Sequence, residues 1–338
     1  MKAFVLRRHG APGVLRQEEC ADPVVGPGQV LVRVEAVGVN YAEVLSRKGL
    51  YGWAPKRPYI LGMEAAGHIG AVGAGVDAAR VGERVMVGTQ TGAYAELMAV
   101  PSAQAFPVPG GWSVEEAAAF PVNWATAWVG LVEMGRMRPT DRVLVSPAGG
   151  GVGTAAVQIA SRWGCEVVAL AGSDAKLERV RSLGASVTLN YRADGWHSRL
   201  AELTRGRGVD VALEMVGGSV FRAVADTLAP FGRVVVSGYA ALDYELWNPL
   251  SWWRAWRGIP RMGLMRMLER SNGMLSTHLG YLLTDPALMT RVFGELSAFV
   301  ERHGLRPQVG HVLPFDQAAE AHRLMESRRS FGKIVLRV

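Results

Sequence analysis

Cysteine is nearly absent: Cys20 and Cys165 are the only two in 338 residues, far apart and outside any CxxC or CxxH pattern. That excludes a disulfide scaffold and a cysteine-built zinc lobe, and it fits a reducing, cytoplasmic setting. Lysine is almost as scarce, at Lys2, Lys48, Lys56, Lys176 and Lys333, and arginine supplies the rest of the 37 basic residues. These charges are mostly scattered, so the net charge of +7 reads as a general attraction to anions, and no nucleic-acid partner is expected. Long apolar runs are missing too. Residues 117–132 are uncharged but short and interrupted by Pro121 and Asn123, and 143–161 holds a glycine cluster. Neither matches the ~20 apolar residues of a spanning helix. Arg7 and Arg8 interrupt the start too early for a signal peptide.

What is present is globular: 49% hydrophobic and 20% charged residues, in a chain long enough for two cores. The first 110 residues alternate short β-like runs with glycine and proline, as in QVLVRVEAVGV at 29–39, GHIGAVGAG and GERVMVG. This predicts a mostly antiparallel, barrel-like domain. From Val143 the texture changes to RVLVSPA, VGTAAVQIASRWG, CEVVALAGS, DAKLERVRSLG and SVTLNY, with GVDVALEMVGG and GRVVVSGYA further on. Buried strands alternating with helices at this spacing make βαβ units and a parallel sheet. The fold class is therefore α/β, a doubly wound Rossmann sheet plus an antiparallel β domain. A helix over 288–304, a second helix and a last strand complete the chain.

The stretch SPAGGGVGTAAVQIA, 146–160, crowds glycines between a strand and a helix. Its spacing is Ala148-x-Gly150-x-x-Gly153, the dinucleotide fingerprint with alanine in the first place. Gly150, Gly151, Val152 and Gly153 are placed to hold a pyrophosphate at the helix N-terminus; the alternative is a tight turn that binds nothing. At the end of the next strand, where a carboxylate would hold the ribose of NAD, stand Ala171, Gly172 and Ser173. Lys176 follows, and Tyr191 ends the third strand. A hydroxyl and an ammonium suit a 2′-phosphate, so NADPH is favoured over NADH. Asp174 would oppose that phosphate if turned inward, and Lys176 also reads as a solvated helix charge.

The ordered series GVNYAEVLSRKGLY, GMEAAGHIGAVGAGV, GERVMV, AAAFPVNWATAW, AGGGVGTAAVQIA, GSDAK, NYR and SFGKIVL resembles the medium-chain dehydrogenase/reductase superfamily, in its zinc-free quinone oxidoreductase (zeta-crystallin-like) branch. The carboxyl half, with NGMLSTHLGYL, looks similar to the VAT-1-like subgroup. The resemblance implies a GroES-like catalytic domain over 1–122 and 279–338, a Rossmann domain over 123–278, a cofactor cleft between them, and a homodimer. Where zinc-dependent relatives carry Gly-His-Glu, this chain has Gly62-Met63-Glu64, and a thioether is a poor zinc ligand beside an imidazole. No metal is expected, and His68 reads as an ordinary histidine.

The implied activity is hydride transfer from NADPH to a quinone or an α,β-unsaturated carbonyl, with the protein supplying position and electrostatics. A 2-enoyl thioester reductase, or a nucleotide-binding protein acting at a membrane surface, is the alternative. The resemblance places Asn40 and Thr126 near the nicotinamide and Tyr51 in the substrate cleft. It sets Gly238 and Tyr239 beside the nicotinamide half and brings Lys333 across to the cofactor. Glu214 stands where relatives often have aspartate. No residue is an obvious general acid, which leaves solvent or a ribose hydroxyl to deliver the proton. One segment stays apart: 247–270 holds four tryptophans, and five arginines against one glutamate. It suits a hydrophobic cap or an oligomer contact; peripheral membrane contact through 247–270 is the alternative.

Overall fold

A computed structural model describes every residue except Arg205, Tyr239, 241–248 and Thr284, and the side chains of Pro249 and Arg254. The chain divides into two units, Met1–Ala125 with Gly280–Val338, and Thr126–Leu279. Each follows from its own sequence period.

In the first unit, alternation along β3 (Gln29–Val39) buries Val30, Val32 and Val34 and leaves Arg33 in water. Before it come β1 (Lys2–Leu6) and β2 (Gln17–Glu19), and after it α1 (Tyr41–Lys48), β4 (Tyr59–Ile60), β5 (Glu64–Val72), β6 (Arg84–Gly88), β7 (Leu97–Pro101) and β8 (Ala105–Pro107). Strands β3, β5, β6 and β8 run antiparallel in that order, and β7 also pairs with β3. Gly67 permits the β3–β5 approach, since a Cβ there would lie 1.9 Å from the Arg33 carbonyl oxygen. Short α2 (Val114–Ala118) and then α3 (Pro121–Trp128) lead into the second unit.

There the strands are β9 (Arg142–Ser146), β10 (Glu166–Ala171), β11 (Val187–Asn190), β12 (Val209–Glu214), β13 (Leu228–Val236) and β14 (Gly273–Ser276). Helices α4 (Gly151–Trp163), α5 (Asp174–Ser182), α6 (Trp196–Leu203), α7 (Gly218–Asp226), α8 (Pro249–Gly258) and α9 (Leu264–Arg270) lie between them. All six strands are parallel in the order β11-β10-β9-β12-β13-β14. The order reverses beside β9, which is the switch point where doubly wound folds bind ligands. Strand β14 was not anticipated, because four residues opening on glycine carry no usable period.

The chain re-enters the first unit with α10 (Leu279–Leu282), α11 (Pro286–Arg302), β15 (Val309–Pro314), α12 (Ala318–Glu326) and β16 (Lys333–Arg337). Strand β16 pairs antiparallel with β3 and parallel with β15. The core beneath joins Phe4, Leu6 and Tyr94 to Ile334 and Leu336. Among the described residues, no helix is long and apolar enough to cross a membrane.

Candidate active site

Strand β9 ends at Ser146, and the glycine run turns the chain into α4. A Cβ on Gly153 would lie 2.1 Å from the Pro147 carbonyl oxygen, so only glycine lets helix and loop pack this closely. Gly150 differs: a Cβ there would meet nothing within 4 Å. No neighbour in the protein demands that glycine, and the bare main chain opens onto space a ligand can enter. Gly150 is the N-cap of α4, and the first turn holds no acidic residue. The positive end of the helix dipole is therefore left for an outside anion.

The neighbouring strand ends extend this surface. Register places Ala171 beside Asn190, which brings Gly172 against the residues after β11. A Cβ on Gly172 would sit 3.0 Å from the Tyr191 hydroxyl and 3.1 Å from Arg192 Nε. The alkyl chain of Lys176 lies over Gly149, 3.0 Å from where a Cβ would be. Burial first, and then the charge of Arg192, pull the Lys176 ammonium below its ordinary pKa. The Lys176 ammonium thus feels the Arg192 guanidinium, which lies with the Tyr191 hydroxyl at Gly172, and a doubly charged anion relieves that repulsion. Asp174 accepts a hydrogen bond from Asn190 Nδ2 at 3.1 Å, which occupies the carboxylate that would have opposed a phosphate. Ser173 precedes α5 as its N-cap. Arg192 is the residue that sequence reasoning missed; it is visible in NYR, but its meaning depends on strand register.

Other expected cofactor contacts are placed unevenly. Gly238 follows β13 with φ +131°, and the preceding Ser237 hydroxyl is buried without a protein partner among the described residues. Tyr239 lies outside the described residues. Glu214, at the end of β12, accepts from the Val216 and Gly217 amides at 2.8 and 3.0 Å, and burial pushes its carboxyl up to about 7. Thr126 is half-buried on α3.

In the first unit, Asn40 precedes α1 and Glu43 sits in its first turn. The Asn40 amide N–H donates to Glu43 at 2.8 Å, and the Met63 N–H and the Tyr94 hydroxyl donate to the same carboxylate at 2.9 and 2.8 Å. Burial pushes Glu43 up to about 7 despite these donors. Lys333 departs from the expectation that it reaches the cofactor. Its side chain is 3% exposed, bonds to Asn40 Oδ1 at 2.6 Å and pairs with Glu64. Asn40 Nδ2 in turn donates to Glu64 at 3.0 Å, and so does the Val122 N–H at 2.8 Å. A buried carboxylate inside this fold draws the ammonium inward, because an unpaired charge there is far costlier than a paired one. Asn40 is held by the same cluster.

Tyr51 lines a closed crevice, too tight for a water molecule, with Glu43, Trp53, Met63, Gln90 and Thr91, and its other side borders an open cleft. Burial, and then the Glu43 charge, raise its phenol well above the ordinary value, so it stays neutral and a hydrogen-bond donor. Trp53 packs on Gly280, where a Cβ would meet the indole at 2.4 Å. Glu64, in the position of the zinc motif, has its charge answered by Lys333. His68 is half-exposed beside Glu35 at 2.9 Å. Among the described residues, no group of three or more His, Cys, Asp or Glu side chains is arranged to hold a metal.

With this geometry in view, residues 26–110 match the alcohol dehydrogenase GroES-like domain and residues 151–258 the family described as zinc-binding dehydrogenase. The synaptic vesicle membrane protein VAT-1 homolog of Rattus norvegicus is 35% identical over 323 residues, covering 95% of this chain and 80% of that protein. The quinone oxidoreductase of Thermus thermophilus, solved also with NADPH, is 34% identical with a TM-score of 0.82 over the full length of both chains. A mycobacterial structure complexed with NADPH is 29% identical with a TM-score of 0.87, again over both full lengths. The chain belongs to the medium-chain dehydrogenase/reductase superfamily, as an α/β oxidoreductase. Within that superfamily its relation is to the VAT-1 homologs and the quinone oxidoreductase-like proteins.

Proposed function

We propose that this chain is an NADPH-dependent reductase of quinones or α,β-unsaturated carbonyls. When bound, NADPH would supply a hydride to an electron-poor carbon of the substrate. Gly150, Gly151, Val152 and Gly153 hold the pyrophosphate, with the open space at Gly150 admitting it. Ser173, Lys176 and Tyr191, with Arg192 added, surround the 2′-phosphate. Ser237 and Gly238, after β13, serve the nicotinamide half, and Thr126 orients it. Tyr51 donates a hydrogen bond to the substrate carbonyl oxygen, which gains negative charge during reduction. Asn40 acts by fixing the Glu64–Lys333 pair behind that pocket.

The observation that carries the reading is the meeting of Tyr191 and Arg192 at Gly172, with Lys176 over Gly149 feeling the Arg192 charge and Asp174 tied to Asn190. Titration of tryptophan fluorescence with NADPH and then NADH tests it. Tighter binding of NADPH is expected; equal affinities or no binding would overturn it. A cytoplasmic setting belongs to the same reading, supported by two unpaired cysteines.

The segment 247–270 supports an association surface. Trp252, Trp253 and Trp256 are 49, 51 and 57% exposed, so they are not core residues. Arg257 stacks on Trp253 at 4.7 Å and Arg261 on Trp256 at 4.2 Å; Trp247 lies outside the described residues. A homodimer contact here predicts that Trp253→Glu yields monomers in analytical ultracentrifugation. Co-sedimentation with anionic liposomes would favour membrane contact instead.

A further inference from the structure

Beside the Tyr51 pocket lies a second cleft of about 540 Å³, lined by Arg7, His9, Gly49, Tyr51, Lys56 and Arg57. The two share Ser46, Tyr51, Ala54 and Pro55 as a common wall. Among the described residues, no carboxylate lines the second cleft, in a chain that has only five lysines. Arg7 is already committed, gripping Glu18 through Nε at 3.0 Å and Nη2 at 2.7 Å. Among the described residues, Lys56 and Arg57 form no ion pair, and Arg57 makes one 3.3 Å contact to the Arg7 carbonyl oxygen. His9 packs against Gly49, whose φ is +79°; a Cβ there would lie 2.4 Å from the imidazole Nδ1. Burial and the Arg57 charge hold His9 below its ordinary pKa, so it stands neutral at pH 7 and is able to donate one hydrogen bond. Helix α1 ends at this cleft, but its last carbonyls are taken, Arg47 by the Gly10 N–H at 3.0 Å and Leu45 by the Leu50 N–H at 2.8 Å. The negative end of that helix is therefore largely spent within the protein.

We propose that this cleft is an anion subsite for the substrate: the molecule reduced carries a phosphate, sulfonate or carboxylate group that docks at Lys56 and Arg57 while its carbonyl lies at Tyr51. The inference rests on the reading of the Tyr51 pocket as the substrate pocket. A neutral quinone leaves both cations facing empty solvent, whereas an anionic substituent satisfies them with charge-assisted hydrogen bonds. The shared wall also limits geometry. The anion must sit within one ring or a short chain of the reacting carbonyl, which selects compact substrates.

The test compares 1,4-naphthoquinone-2-sulfonate with 1,4-naphthoquinone, reduced with NADPH by the full chain and by Lys56→Glu/Arg57→Glu. The variant should lower kcat/KM for the sulfonated quinone by about ten-fold or more and for the other by under about two-fold, with the difference shrinking in high salt. Calorimetry with naphthalene-2-sulfonate and 2-naphthol needs no turnover, and only the sulfonate should lose affinity in the variant. Lys56→Gln/Arg57→Gln, with no new charge, should give the same trend and guards against misfolding. Equal effects on both quinones, or sulfonate binding that ignores the substitutions, would overturn the proposal. Inorganic phosphate binding as tightly as naphthalene-2-sulfonate would also overturn it, in favour of a free-anion site. If neither quinone is reduced while sulfonate binding still depends on Lys56 and Arg57, the reductase reading fails and the anion cleft stands.

Discussion

Replacing Lys176 by alanine isolates the 2′-phosphate, because NADH differs from NADPH only there. A hydrogen bond to a charged group is worth about 1.5–3 kcal/mol, and Lys176 is half-buried, so the lower part of that range applies. The expected loss of NADPH affinity is therefore roughly 10- to 30-fold, with NADH unchanged. Arg192 is exposed, so Arg192→Ala should cost only about two- to five-fold. The two cations feel each other, and their losses in the double variant are not expected to add. pH gives a second handle: a phosphate monoester loses one charge below its second pKa near ~6, so the preference for NADPH should narrow between pH 7 and 5. Isothermal titration with 2′,5′-ADP and 5′-AMP reads the phosphate alone. Equal losses for NADPH and NADH in Lys176→Ala, or an undiminished preference, would refute the reasoning.

Three other outcomes are expected. Gly150→Ala should melt like the parent yet bind NADPH at least about ten-fold more weakly, whereas Gly153→Ala should unfold at lower urea, because its methyl meets a backbone oxygen 2.1 Å away. Lys333→Met strands the Glu64 carboxylate and should cost about 3–5 kcal/mol in urea unfolding, while Glu64→Gln/Lys333→Met should recover much of it. Glu43, ordinarily near 4.5, is raised to about 7, so its stabilising contribution is full below the unfolded value and lost as pH climbs from 4.5 to 7. Urea midpoints across that window should fall for the parent relative to Glu43→Gln, and parallel profiles would argue against the shift.

Much of this was legible in the residues. The glycine run, the change from period-two to βαβ texture, and the missing carboxylate at 171–173 each rest on local spacing, and local spacing is what a sequence displays. The role of Lys333 was not legible, because its partners Asn40 and Glu64 are 293 and 269 residues away and no nearby pattern announces them. Arg192 stood in plain view but needed the β10–β11 register to acquire neighbours. The basic cleft was hidden for a related reason: Arg7, His9 and the 56–57 pair come from separate loops. The tryptophans of α8 keep helical spacing whether they face core or solvent, so only their exposure in the folded chain separates those cases.

The closure of β16 onto β3 has a consequence for synthesis. While the ribosome is still making residues beyond 279, the β9–β14 sheet has every strand it needs, but the amino-terminal sheet still waits for β15 and β16. Until Lys333 arrives, Glu64 lacks its ammonium partner and the 36–39 end of β3 lacks the strand that will pair with it. A nascent chain stalled before 330 should therefore protect the inserted unit from protease and leave residues 1–125 open to it, as well as to chaperones.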